Sequence, residues 1–280
     1  MNTLTDEHAL HALLGGIDIP PCPATLLDID AELRKDDPDQ RAVARIICTD
    51  VALSGHVMQL VNSPAFGRQN VDSIIQALQV LGNQQVFSLV IGHLLKAALA
   101  EGNQVSMERF WDSSAMTARV AAELGRRLRR VRPDVAYTFG LFRDCGIPLL
   151  ARRFDQTKEV LARANAAEDA AFTAVEEQFL GTNHATIGYF LARRWRLPDS
   201  VVEAIRHHHD YHELNAPRRL PDEVCALIGI GALAEHIIRT HQHDTMEHEW
   251  AKAAAPVCSH FGLSLGSVDD LIEDLVEWLG

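Results

Sequence analysis

The residues here with the most chemistry in them are histidines and carboxylates in the second half of the chain. His207, His208 and His209 are consecutive, and Asp210 follows. His184 opens the stretch HATIGYFLARRW, Asp144 lies in LFRDCG (Leu141 to Gly146), and Glu235 comes later. Imidazoles together with carboxylates are the donor set a divalent transition metal requires. On a helix, consecutive residues stand about 100° apart, so three adjacent histidines cannot all face one point, although two can flank a pocket. The same groups would equally serve as polar lining or caps in a pocket that holds no ion. A second set, His236, His241, His243 and His248, lacks the HExxH spacing of a helical zinc site and sits among polar residues, which predicts exposed surface.

Other chemistries find little footing. No GxGxxG, GxxxxGK[ST] or GxSxG segment occurs, so a nucleotide-binding loop or a serine hydrolase has no support. The net charge of −12 argues against a nonspecific grip on nucleic acid or on an anionic membrane. RRLRRVR (126–132) is the one basic cluster. It reads as a solvated helix end, where arginine meets the negative pole of the helix dipole, because no aromatic residues interleave it as in a single-strand binder. The cysteines at 22, 48, 145, 225 and 258 are odd in number and form no CxxC pair, which excludes a disulfide framework or a cysteine zinc site. MNTLTDEHALHALLGG carries acids and histidines where a signal peptide has a basic start and an apolar core. No apolar run approaches the roughly 18–20 residues of a membrane helix. A cytoplasmic, reducing setting with no membrane contact is expected.

The elements that must position these groups are helices. Strand-like alternation is scarce, and no Asn-Gly or Asp-Gly hairpin signal appears. Phe110, Ser114, Thr117, Ala121, Leu124 and Leu128 fall at alternating steps of four and three, one face of a helix. Leu53, Val57, Leu60 and Val61 form another, with Asp50 as its N-cap. Ile74, Ala77, Leu78 and Leu81 form a third, closed by Gly82. Pro198 suits a helix start, after which Val201, Ile205 and His208 share a face. Asp222 starts a helix through EVCALIGIGALAEHIIR, and VDDLIEDLVEWLG forms the last. Pro148, in GIPLL, predicts a break and restart that sets the angle at which Asp144 meets its pocket. EGNQVS (101–106) is a polar joint between two halves and NAPRRLP (215–221) a loop, while Phe66 plugs the turn made by Asn62, Ser63, Pro64 and Gly67.

At these segments the chain resembles a known family. IPPCPATLLDI, DVALSGHVMQLVNSPAFG and VDSIIQALQVLG lie in the first half. FWDSSAMTARVAAELG, GLFRDCGIPLLARRF and NHATIGYFLARRWRLPDSVVEAIRHHH lie in the second. In order and spacing they resemble the HDOD family, the HD-related output domains of bacterial signalling, over roughly residues 17–240. The resemblance implies an all-α fold, with a helical N-terminal subdomain (1–104) packed on a degenerate HD-like helical part (105–280). That second part is similar to the HD phosphohydrolases and the HD-GYP cyclic-dinucleotide phosphodiesterases.

The comparison can be carried across residue by residue. An HD enzyme would place its first histidine at Ser113 and its His-Asp pair at Arg143 and Asp144. The further histidines of the binuclear HD-GYP pattern match His184, His208 and His209, and its closing aspartate corresponds to Glu235. The GYP segment has no counterpart. Serine is a weak neutral ligand, and arginine does not give up its proton in a protein and so does not coordinate. An inward Arg143 puts a positive charge where a cation would sit, and at an effective dielectric near 20 like charges about 4 Å apart repel by roughly 4 kcal/mol. Without a metal to make hydroxide from water near neutral pH, the pocket has no nucleophile. The expectation is a non-catalytic signalling or regulatory protein with a vestigial pocket of Ser113, Arg143, Asp144, His184, His208, His209 and Glu235. It would hold no metal or cofactor and would bind a signalling protein or a small anionic ligand, with its input supplied by that partner. Two alternatives stand beside it. One is a metal-dependent phosphohydrolase using Asp144, His184, His208, His209 and Glu235 around one ion. The other is a phosphate or nucleotide sensor in which Arg143, His208 and His209 grip the anion without cleaving it.

Overall fold

The computed structural model describes residues 16–63, 70–100, 107–215, 220–243 and 248–279. All regular structure among them is helical. The Pro64–Gly67 part of the turn assigned to Phe66, the polar joint at 101–106 and the loop residues 216–219 lie outside the described residues. The chain divides into two compact units, one spanning Pro20–Glu101 and the other taking in the rest of the described chain.

The first unit holds α1 (Ala24–Leu33), α2 (Gln40–Cys48), α3 (Val51–Val61), α4 (Ile74–Leu81) and α5 (Asn83–Ala100). Short polar side chains start these helices by accepting from orphan backbone N–H groups. Asp39 accepts from Arg41 N, Asp50 from Leu53 N and Ser73 from Gln76 N. Gly82 ends α4 at φ 82°, a left-handed angle that glycine adopts without penalty. The apolar faces expected from spacing are the buried ones, with Leu53, Val57, Val61, Ala77 and Leu78 all at 0% exposure. Asn62 fastens the chain beyond α3, donating to Val71 O (2.9 Å) and accepting from Val71 N (2.7 Å).

The second unit holds α6 (Glu108–Leu128), α7 (Pro133–Phe142), α8 (Ile147–Arg153), α9 (Thr157–Asn165), α10 (Phe172–Leu180), α11 (His184–Arg194), α12 (Asp199–His207), a 3₁₀ turn (Tyr211–Asn215), α13 (Asp222–His241), α14 (His248–Phe261) and α15 (Leu265–Leu279). Helix α13 is its axis. It packs on α6, α7, α12, α14 and α15 and is buried almost continuously from Val224 to Ile238. A helix apolar on all sides must be covered on all sides. At 20 residues it is long and apolar enough to cross a membrane, which corrects the reading that no run approaches that length; but 78% of its apolar window is buried within the fold. RRLRRVR caps the end of α6 as a solvated patch, with Arg126 and Arg127 on Glu123, Arg127 also on Asp274, and Arg132 on Asp134. The chain does break and restart at Pro148: α7 stops at Phe142, four residues turn, and α8 begins with Pro148 in its first turn, where a missing N–H is harmless.

Candidate functional site

The turn between α7 and α8 is Arg143-Asp144-Cys145-Gly146, and it carries the centre of the site. Arg143 is 7% exposed. Its guanidinium donates in three directions: Nε to Asp144 Oδ2 at 3.2 Å, Nη1 to Gly231 O at 3.0 Å and Nη2 to Glu235 Oε2 at 2.7 Å. Gly231 makes room for it, since a Cβ there would stand 2.8 Å from the Phe139 ring and 3.4 Å from Arg143 Cδ. Glu235 is shared with Arg239, whose Nε and Nη2 lie 3.2 and 3.1 Å from its other oxygen. Burial pushes the Arg143 guanidinium toward losing its proton, but Asp144 and Glu235 outweigh burial and hold its pKa above the ordinary value. Burial likewise pushes the Glu235 carboxyl up, and Arg143 and Arg239 bring it below the usual range.

Asp144 faces two buried histidines from α11 and the end of α12. Its Oδ1 is 3.5 Å from His184 Nε2 and 3.4 Å from His208 Nε2, and those two nitrogens are 3.0 Å apart. Gly146 lets the turn come this close: a Cβ there would lie 2.1 Å from the carbonyl oxygen of His184. Asn183 caps α11 by accepting from Thr186 N at 2.7 Å, which points His184 inward from the helix's first residue.

The hydrogen bonds together with the titration directions assign the protons. His208 Nδ1 sits 2.7 Å from Ile205 O and must donate. Neutral His208 then offers its Nε2 lone pair to His184 Nε2–H. The other nitrogen of His184 lies 2.6 Å from Glu176 Oε2, so His184 carries both protons as an imidazolium. The titration directions agree. Burial drives His184 down, yet Glu176 and Asp144 overcome it and hold the ring above its ordinary value. Burial, then the neighbouring His209, drive His208 down to about 3. Burial raises the Asp144 carboxyl, but Arg143, and then His208 and His184, hold it well below the carboxylate range.

His209 lies against the same cluster, its ring 4.2 Å from that of His208 and stacked on Phe172 at 4.7 Å. Its Nδ1 pairs with Glu249 Oε2 at 2.9 Å. That oxygen also accepts from the Tyr211 hydroxyl at 3.2 Å, while Lys252 Nζ holds the other at 2.8 Å. Burial would raise the Glu249 carboxyl, but the His209 and Lys252 bonds bring it down to about 2.

The structure therefore brings Arg143, Asp144, His184, His208, His209 and Glu235 into one contiguous network. Ser113 is exposed on α6, so the buried cluster does not include it. Sequence reasoning missed Glu176, Glu249 and Phe172. Glu176 is 0% exposed and orients His184, but it lies eight residues away on a different helix, a separation with no local signature. His236 is a correction: it is 8% exposed and stacked on Trp250 at 4.4 Å, because its helix is buried on every side.

The donor set has the spacing of a metal site. Donors about 2.1 Å from one ion and roughly 90–110° apart stand about 3.0–3.4 Å from each other. His184 Nε2, His208 Nε2 and Asp144 Oδ1 match that spacing, and donor atoms of His184, His208 and His209 all lie within 4.8 Å of one another. Glu176 and Ile205 O hold the far nitrogens of His184 and His208 as a metal's outer shell does. These residues fit one ion, which would act as a Lewis acid and water activator there. It would have to displace the Nε2 proton of His184 and accept Arg143 on the far oxygen of Asp144.

Comparisons with known proteins agree with this architecture. The HDOD domain family profile matches residues 19–211. A candidate phosphohydrolase from Shewanella amazonensis SB2B is 25% identical and superposes with a TM-score of 0.68, covering 94% of this chain and 94% of its own. An HDOD domain protein of unknown function from Geobacter sulfurreducens is 23% identical with a TM-score of 0.69, over 99% of this chain and 96% of its own. A candidate signal transduction protein from Marinobacter aquaeolei VT8, 23% identical, reaches 0.72 over 99% of this chain and 64% of its own. An uncharacterized protein of Treponema pallidum (strain Nichols) is 27% identical over 229 residues, 79% of this chain, and the chain spans about two-fifths (42%) of that relative's length.

Proposed function

The chain belongs to the HDOD family, and we propose that it is a non-catalytic signalling or regulatory protein, cytoplasmic, working through binding of a protein or small ligand. One observation carries the reading. The position that an HD enzyme gives to a metal-binding histidine holds Arg143, whose guanidinium is buried and bonded to Asp144, Glu235 and Gly231 O. A fixed internal cation supports the acids of the pocket without an ion. The gripping of phosphate by Arg143 with His208 and His209 is disfavoured, because two carboxylates already occupy the guanidinium.

A second reading, a phosphohydrolase with a reduced ligand set, has its own support in the convergence of His184, His208 and Asp144. Protein purified without immobilised nickel and assayed for iron, manganese and zinc separates the two. The regulatory reading expects well under one equivalent of metal. It also expects phosphatase and phosphodiesterase rates, with manganese or iron added, no higher than those of Asp144→Ala. A stoichiometric metal lost in Asp144→Ala, or a rate that depends on Asp144, would make this an enzyme.

A further inference from the structure

Away from the histidine cluster, α11 and α12 share a feature that the proposed function does not use. Tyr189, on α11, is 7% exposed. Arg193, one turn on, donates from Nη1 to the Tyr189 hydroxyl oxygen at 2.6 Å, and its guanidinium carbon is 5.8 Å from the ring centre. Arg206 reaches over from α12, with its guanidinium carbon 4.9 Å from the same centre. Both arginines are exposed. Two cations from two helices thus converge on one phenol.

Net charge is −12, and some arginines of the unit find carboxylates, such as Arg127 on Glu123 and Asp274 or Arg132 on Asp134. Among the described residues neither Arg193 nor Arg206 has an ion-pair partner. The acid three residues before Arg206, Glu203, lies 3.9 Å from His207, and Asp210 also pairs with His207, at 2.8 Å. Like charges gathered without a counter-ion repel, and an anion between them removes that repulsion.

We propose that Arg193, Arg206 and the Tyr189 hydroxyl form a binding site for a phosphate group. Each guanidinium offers a planar fork of N–H donors suited to two oxygens of one phosphate. The Tyr189 oxygen accepts from Arg193 and keeps its own O–H to donate. A phosphate monoester brings close to two negative charges and three acceptor oxygens, which answers two cations and a hydroxyl better than a single carboxylate does. Because α11 begins at His184 and α12 runs into His208, an anion bridging these helices would also tie them together beside the buried histidines. The proposal does not depend on whether the histidine cluster is catalytic.

The test is isothermal titration of the whole chain with inorganic phosphate and with a phosphoserine peptide, at constant ionic strength set by chloride. The unphosphorylated peptide is the blank. Saturable one-to-one binding is expected, weakened about tenfold or more by Arg193→Gln or Arg206→Gln and untouched by Arg129→Gln, an exposed arginine ending α6. Tyr189→Phe should weaken it less, and Arg206→Lys should keep part of it. Tighter binding of the peptide than of inorganic phosphate would identify a phosphorylated partner as the source, and equal binding a small phosphate ester. Absence of saturable binding to both probes overturns the site, as does binding that survives Arg206→Gln or falls equally in Arg129→Gln. Thermal melts without phosphate check that the variants fold.

Discussion

Arg143→Met removes the central charge but keeps much of the apolar stem. Arg143, Asp144 and Glu235 have side chains only 8%, 27% and 20% exposed, so solvent screens their attraction little. Breaking a buried pair by deleting one partner costs about 3–5 kcal/mol, because the other charge is left without compensation. Here the loss is cushioned. Asp144 retains protonated His184 at 3.5 Å, and Glu235 retains Arg239. Arg143→Met should therefore fall near the low end, about 3 kcal/mol. Glu235→Gln should cost less than Arg143→Met, since Asp144 still answers the guanidinium. Residues sharing one network fail to add, and the Arg143→Met, Glu235→Gln double variant should recover about 1–3 kcal/mol against the sum of the singles. Urea unfolding followed by tryptophan fluorescence is the assay. Trp111, Trp195, Trp250 and Trp278 all lie in the unit that holds the site, so the signal reports that unit. Single changes costing about 1 kcal/mol or less and adding simply would match a solvated pair and refute the internal-cation reasoning.

The histidines predict a stability optimum in pH. His208 is held down at about 3, against about 6.5 when unfolded. The unfolded chain therefore takes up the proton first, and stability should fall below about pH 6.5, by on the order of 2 kcal/mol at pH 5. His184 is held above its ordinary value, so its contribution is complete below about pH 6.5 and disappears as pH rises through the folded-state pKa. Urea midpoints should peak near pH 6.5, with the acid limb flattened in His208→Gln; a wild-type midpoint constant from pH 5 to 6.5 would contradict the assignment. Gly146→Ala places a methyl where the His184 carbonyl stands at 2.1 Å, so the turn or the start of α11 must move. Its cost should be about 3 kcal/mol or more, at or beyond the top of ordinary overpacking, and a near-neutral melt would show that the contact is soft.

What the sequence discloses here follows from the range of the forces. Helix faces and caps are local, so Asp50 and Gly82 could be placed from spacing alone, and the α7–α8 break was visible in Pro148. The pocket's histidines were legible because consecutive imidazoles are conspicuous. Glu176 and Glu249 were not, since a buried glutamate looks like a surface one until a distant helix supplies its partner. His236 misled for the converse reason. Its neighbours in sequence read as polar surface, whereas tertiary packing of α13 against five helices buries it beside Trp250. Ser113 shows the limit of carrying a pattern across residue by residue: its place in the order of segments matches, and yet its side chain is exposed.

The charges of the network bear on its two readings. Four acids approach the site: Asp144, Glu176, Glu235 and Glu249. Arg143 answers Asp144 and Glu235, Arg239 adds to Glu235, protonated His184 answers Glu176, and Lys252 answers Glu249. Each anion thus has a cation within bonding distance, and none is left over to attract a divalent ion. Metal entry would expel one proton from His184 and still add a positive charge beside Arg143, against the repulsion expected between close like charges in a poorly screened site. The three donors keep a metal's spacing because the fold holds them: Gly146 presses the turn onto α11, Glu176 and Ile205 O aim the two imidazoles, and Gly231 seats the guanidinium. Geometry alone favours an ion, electrostatics favours the arginine, and the arginine, being part of the chain, is always present. Replacing it is therefore the direct route to testing whether metal binding can be restored. Arg143→His removes the fixed cation and supplies a fourth donor beside Asp144. It should raise zinc or manganese content toward one equivalent, measured by elemental analysis after dialysis. If Arg143→His folds and stays metal-free, something other than the guanidinium keeps the ion out.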